Sequence, residues 1–113
     1  MKDWRYFCPV SERKGTCYHE FYKGEWDNQT LWKPDSILIH DDTLANLELH
    51  KIFSAILPEY DPHGITEVNK SQWQAVLDYA SQLDTEAKLA LTEAAAWAAE
   101  VFKTQKVFTI LGI

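Results

Sequence analysis

Over the first 40 residues the hydrophobic positions are mostly ring-bearing or β-branched and alternate with polar ones, which suits a half-buried pleated surface. The pattern predicts a strand over residues 4–7, stopped by Pro9, and a second over residues 16–22. The polar stretch Ser11-Glu12-Arg13-Lys14-Gly15 between them reads as the turn of a hairpin. Residues 23–29 have turn composition, and Thr30 to Trp32 read as extended beyond them. Ser36 to His40, β-branched at Ile37 and Ile39, predicts a third strand after Pro34.

From Asp42 the spacing lengthens to about 3.6, because Leu44, Leu47, Ile52, Phe53, Ile56 and Leu57 fall on one side of a helix. Asp41 or Asp42 can cap its start, and Pro58 ends it. Residues 58–64, with two prolines and a glycine, form a loop, and Ile65 to Val68 read as briefly extended. Asn69 and Gln72 have the spacing of a capping box. Trp73, Val76, Leu77, Ala80 and Leu83 then mark the apolar face of a second helix. A fresh cap at 84–86 opens a third, over residues 85–103, with a small-residue stripe that allows close packing. Val107 to Leu111 is available as a closing strand. The sum is an α+β fold in which about three N-terminal antiparallel strands, and a fourth at the C-terminus, pack against about three helices.

With 113 residues, 46% of them hydrophobic, the chain has the size and apolar content of one domain with its own core. No apolar run approaches the roughly 20 residues that span a bilayer. The start, Met1-Lys2-Asp3-Trp4-Arg5-Tyr6, is charged where a secretory signal turns apolar, so the expected compartment is the cytoplasm. Cys8 and Cys17 can pair by parity, but a reducing compartment and a self-sufficient core favour free thiols.

Catalytic chemistry has little to build on. Cys8, Cys17, His19 and His40 are the only soft-ligand set, and their spacing is not that of a zinc site; Cys8 would have to lie on the strand beside Cys17 and His19. His40, Asp41, Asp42 and His50, at a strand-to-helix junction, are the best enzyme-like cluster, although acids at a helix start are explained by capping and the helix dipole. Neither cysteine sits in a nucleophile signature, and the four glycines are isolated, so no phosphate loop exists. The expectation is a protein with no catalytic residue, metal or cofactor. A small metal-dependent hydrolase using His40, Asp41, Asp42 and His50 remains the enzymatic alternative.

Charge changes the picture most. The net charge of −6 is unevenly laid out: residues 1–34 sum to +1, residues 35–67 to −6, and residues 68–113 to −1. The middle third carries Asp35, Asp41, Asp42, Glu48, Glu59, Asp61 and Glu67 against Lys51 alone. Such a single-sign field can steer a basic protein, with Tyr60 and Phe53 as aromatic anchors. The expected partner-binding residues are those seven acids and Tyr60. The same acidity argues against nucleic acid as a partner, while the bases interleaved with rings before residue 35 keep a single-stranded nucleic-acid binder open as a further alternative.

A small acidic α+β chain with no catalytic motif and one concentrated acidic stretch resembles the immunity proteins that bacteria make against their own polymorphic or contact-dependent toxins. The resemblance implies a cytoplasmic, stoichiometric inhibitor that neutralises a basic nuclease by covering its active site or an adjoining surface. A nucleic-acid mimic that blocks a DNA-binding or RNA-binding protein fits the same facts.

Overall fold

The computed structural model describes residues 4–113; Met1, Lys2 and Asp3, and with them part of the charged start, lie outside the described residues. Five antiparallel strands form one sheet: β1 (Cys8–Pro9), β2 (Tyr18–Lys23), β3 (Ile37–His40), β4 (Ile65–Asn69) and β5 (Val107–Leu111). Their order is β1-β3-β2-β5-β4. Four helices follow or separate them: α1 (Asp41–Asn46), α2 (Leu49–Ile56), α3 (Lys70–Ser81) and α4 (Glu86–Val101). The α+β architecture expected from the alternating and helical periods is the one observed, with β5 as the closing strand and residues 65–69 contributing a full strand.

Local differences from the sequence reading have physical causes. The expected hairpin does not form: β3 lies between β1 and β2 and pairs with both. Residues 4–7 are not a strand, because the backbone N–H groups of Arg5, Tyr6 and Phe7 turn to the Glu93 carboxylate on α4, at 2.8, 3.0 and 2.6 Å. Thr30 to Trp32 are likewise not a strand but part of a long irregular connection. The single helix expected from Asp42 to Leu57 is broken at Glu48, which adopts φ 57°. Leu44 and Leu49 are both buried, and five residues of continuous helix would set them about 140° apart; the break brings both to the core. His40, not an aspartate, caps α1, its Nδ1 accepting from the Asp42 N–H at 3.1 Å. The Asn69–Gln72 capping box forms as its spacing predicts.

One face of the sheet carries the helices. Phe21 is the hub of this side, stacked on Phe108 at 5.3 Å and met edge-on by Phe7 and Trp73, an arrangement in which ring quadrupoles add to area burial. Ile37, Ile39, Val68 and Ile110 complete the sheet's share. Ala87, Ala90, Ala94 and Ala98 line the buried side of α4 and let it approach closely. Phe53, expected as a surface anchor, is fully buried in this core. No helix among the described residues is long and apolar enough to cross a membrane.

The opposite face of the sheet is covered by loops. Strand alternation points Glu20, Tyr22, Leu38, Thr109 and Leu111 to that side, and all five are buried. Residues 24–36 lie across it. The Thr109 hydroxyl donates to the Gly24 carbonyl at 2.8 Å, and Asp27 accepts from the N–H groups of Gln29 and Thr30, which hold its carboxyl down at about 2. Glu20 is the anchor: only 1% exposed, its carboxylate accepts from the N–H of Trp32 at 2.8 Å, the N–H of Lys33 at 3.1 Å and the Ser36 hydroxyl. Arg13 stacks over the Trp32 ring at 4.3 Å and the Lys33 ammonium over Tyr22 at 4.7 Å.

Glu20→Ala leaves those three donors without their acceptor and is expected to cost about 3 kcal/mol or more. Glu93→Ala, at a partly exposed site, is expected to cost about half as much, with faster amide exchange confined to residues 5–7. Urea denaturation and hydrogen exchange measure both. A loss under about 1 kcal/mol for Glu20→Ala would mean that something else holds the loop.

Candidate partner-binding site

The strand register brings four element ends together. Tyr18 at the start of β2 pairs with His40 at the end of β3, and Ile65 at the start of β4 pairs with Leu111 at the end of β5. The residues just beyond these positions therefore share one end of the sheet. They are Cys17, Asp41, Asp42, the loop of residues 57–64, and Gly112 and Ile113. The loop is pinned there: the Gly112 N–H donates to the Gly64 carbonyl at 2.7 Å and the Ile113 N–H to the Pro62 carbonyl at 3.1 Å. A Cβ on Gly112 would fall 2.2 Å from the Pro62 oxygen, so the approach requires glycine.

Of the expected partner-binding residues, this end gathers Asp41, Asp42, Glu59, Tyr60 and Asp61. Asp42 and Asp61 are exposed and Tyr60 is half-buried, its ring tilted against Phe53 at 5.3 Å. Burial pushes the Tyr60 phenol up to about 12, with the charges of Asp41 and Asp61 adding to the shift, so both carboxylates lie close enough to act on it. The phenolic oxygen is buried without a hydrogen-bond partner.

The other three acids go elsewhere. Asp35 precedes the opposite end of β3, where its carbonyl accepts from the Trp97 indole N–H at 2.8 Å. Glu48 sits between α1 and α2 and pairs with Lys51 at 3.0 Å. Glu67 lies midway along β4, on the face opposite the helices.

Histidines interleave with the acids at this end, and two of them were not singled out as part of it by sequence. His19 is 2% exposed and its Nε2 meets Asp41 Oδ1 at 2.7 Å, while its Nδ1 is buried without a partner. His63 places its Nδ1 3.1 Å from the Ile113 backbone oxygen, and its backbone N–H donates to the Asp61 carboxylate. The signal for His19 was available: alternation with Phe21 puts it on the core side of β2, where a polar ring needs a partner.

The enzyme-like set is not assembled as expected. Asp41 turns to His19, His40 caps α1 and comes within 3.8 Å of Asp42, and His50 belongs to α2, not to the helix that Asp42 opens. Among the described residues no three His, Cys, Asp or Glu side chains converge on a metal position. Cys8, on β1, and Cys17, just before β2, are free thiols, and β3 lies between those two strands; burial, and then the Glu12 charge, push the Cys8 thiol up. Of the N-terminal rings, Phe7 and Phe21 are buried in the helix-side core, Trp4 and Tyr6 pack against it, and Tyr22 is buried on the opposite face of the sheet.

Because its hydroxyl is unpartnered, Tyr60→Phe is expected to leave the melting temperature at pH 7 unchanged or raised. The phenol's folded value lies above its ordinary 10, so its contribution is fully present below pH 10 and is lost as pH rises towards 12. The Phe variant should therefore show a shallower alkaline loss of stability over that window in denaturant titrations. Asp41→Ala strands both ring nitrogens of His19 and is expected to cost about 2 kcal/mol. Compared with known proteins, the chain matches no family model, no curated protein and no solved structure at a significant level.

Proposed function

We propose that the chain is a stoichiometric binder of a basic protein and, in the form its general character most resembles, a cytoplasmic immunity protein that neutralises a nuclease-type bacterial toxin. The observation that carries this reading is the acidic end of the sheet, where Asp42, Glu59 and Asp61 stand exposed at the same end as a half-buried Tyr60. Carboxylates at one end that have no lysine or arginine among their ion pairs in the described residues sum to a field that attracts a basic surface over about 10 Å at moderate salt. Tyr60 supplies what a charge cluster lacks, an aromatic contact. Four of the seven acids of residues 35–67, Asp41, Asp42, Glu59 and Asp61, share this end of the sheet, which gives the field a direction.

The test compares two reversals that change net charge equally. Asp42→Lys alters the acidic end, and Asp35→Lys alters an exposed acid at the other end of β3. Their association rates with a basic partner recovered by affinity pull-down from the native host are measured by stopped flow across a salt series. Asp42→Lys should slow association by about tenfold at low salt and flatten its salt dependence, with Asp35→Lys close to the parent. Equal effects from the two, or none, would remove the acidic end from the account.

A further inference from the structure

The two edges of the sheet are finished differently. On one side β1 is two residues long and includes Pro9, a short proline-bearing edge of the kind that discourages further pairing. On the other side β4 runs for five residues, Ile65–Asn69, with no proline, bulge or lysine among them. Its backbone polarity follows from two contacts. The Gly112 N–H donates to the Gly64 carbonyl, so position 64 faces β5, and with it Thr66 and Val68. The Asn69 N–H goes to the Gln72 side chain instead of the ladder. Ile65 and Glu67 therefore direct their N–H and C=O groups away from β5, and among the described residues nothing pairs with them. Their side chains stand exposed on the sheet face opposite the helices, with Ile65 half exposed.

We propose that the β4 edge receives an extended segment of the partner as a sixth, antiparallel strand. That segment carries a basic residue opposite Glu67 and an apolar one opposite Ile65. Main-chain hydrogen bonds supply the docking and the alternate side chains supply its selectivity. Charge selects the occupant. A second copy paired over the whole strand would place Glu67 opposite its own symmetry mate, and like charges directly opposed are unfavourable. A lysine or arginine there is favourable, and β4 begins at the acidic end where Glu59 and Asp61 stand. The basic character of the partner rests on the function proposed above; the free backbone edge does not.

The probe is an acetylated, amidated heptapeptide Thr-Val-Thr-Lys-Thr-Val-Thr, with a control carrying Glu for Lys, and the readout is residue-resolved amide hydrogen exchange. In the free protein the Ile65 and Glu67 amides should exchange fast and those of Thr66 and Val68 slowly. At millimolar concentration the Lys peptide should slow Ile65 and Glu67 by about tenfold, the Glu peptide far less. Glu67→Pro removes one outward N–H while sparing the ladder and should abolish the effect. Glu67→Gln should keep the protection and lose the preference between peptides.

Slow Ile65 and Glu67 exchange in the free protein, no response to either peptide, equal responses to both, or a concentration-dependent dimer that protects these amides would each overturn the proposal. Protection that survives Asp42→Lys but not Glu67→Pro leaves the edge standing even where the acidic end recruits no protein. The reverse pattern overturns the edge alone.

Discussion

Strand β2 is buried on both of its faces, and the fold depends on how each is covered. Phe21 faces the helices and is satisfied by apolar packing. Glu20, its neighbour, faces the other way and is equally buried. A carboxylate in that position is unfavourable unless donors replace the water it has lost. All three donors come from residues 32–36 of one connection. The charge and the loop therefore require each other: the loop cannot leave without stranding Glu20, and Glu20 cannot be buried without the loop. Trp32 holds its N–H on Glu20 from a left-handed conformation, φ 61°, uncommon for a bulky residue. A segment with no regular secondary structure is in this way fixed as the second covering layer of the sheet.

The same device recurs where regular structure gives out. Glu93 collects three N–H groups of the N-terminal segment, and Asp41 meets a core histidine at the junction of β3 and α1. These carboxylates are structural, which changes the meaning of the net charge. Glu20 and Glu93 are turned inward, and Glu48 and Glu100 are offset by Lys51 and Lys103. The outward field comes from fewer acids than the composition implies, and those at the sheet end have no lysine or arginine partner among the described ion pairs.

Elements whose own residues decide them were legible in the sequence. The α3 start is written in Asn69 and Gln72, and the α4 face in its alanines. The alternation at Ile37 and Ile39 is β3. What was not legible depends on distant residues. Nothing local in residues 4–7 says that Glu93, more than 80 positions away, takes their N–H groups, and nothing in Ser11 to Gly15 says that β3 will insert between the strands it seemed to join. The break at Glu48 was partly visible, since Leu49 falls off the apolar face that Leu44 begins. The acidic block was legible as composition but not as geometry: the distance of Asp35 from Asp41 follows from β3 running straight between them, while Asp41 and Asp61 share one end of the sheet only because β2 and β5 align the ends of their neighbours.

The acidic end and the β4 edge meet at one corner, where residues 57–64 run into Ile65, and they act over different ranges. The field of Asp42, Glu59 and Asp61 reaches about a Debye length and weakens with salt. Backbone pairing at Ile65 and Glu67 acts only at contact and involves neutral groups. A basic strand would be captured by the first and held by the second, so the two contributions separate in rate: charge at the sheet end governs encounter, and the edge governs dissociation. Glu67 belongs to both, since it adds to the field and interrupts an edge that would otherwise present only uncharged residues. An Ile or Thr in its place would strengthen pairing with any strand, including a second copy; the carboxylate makes the edge selective by disfavouring the commonest wrong partner, the protein itself.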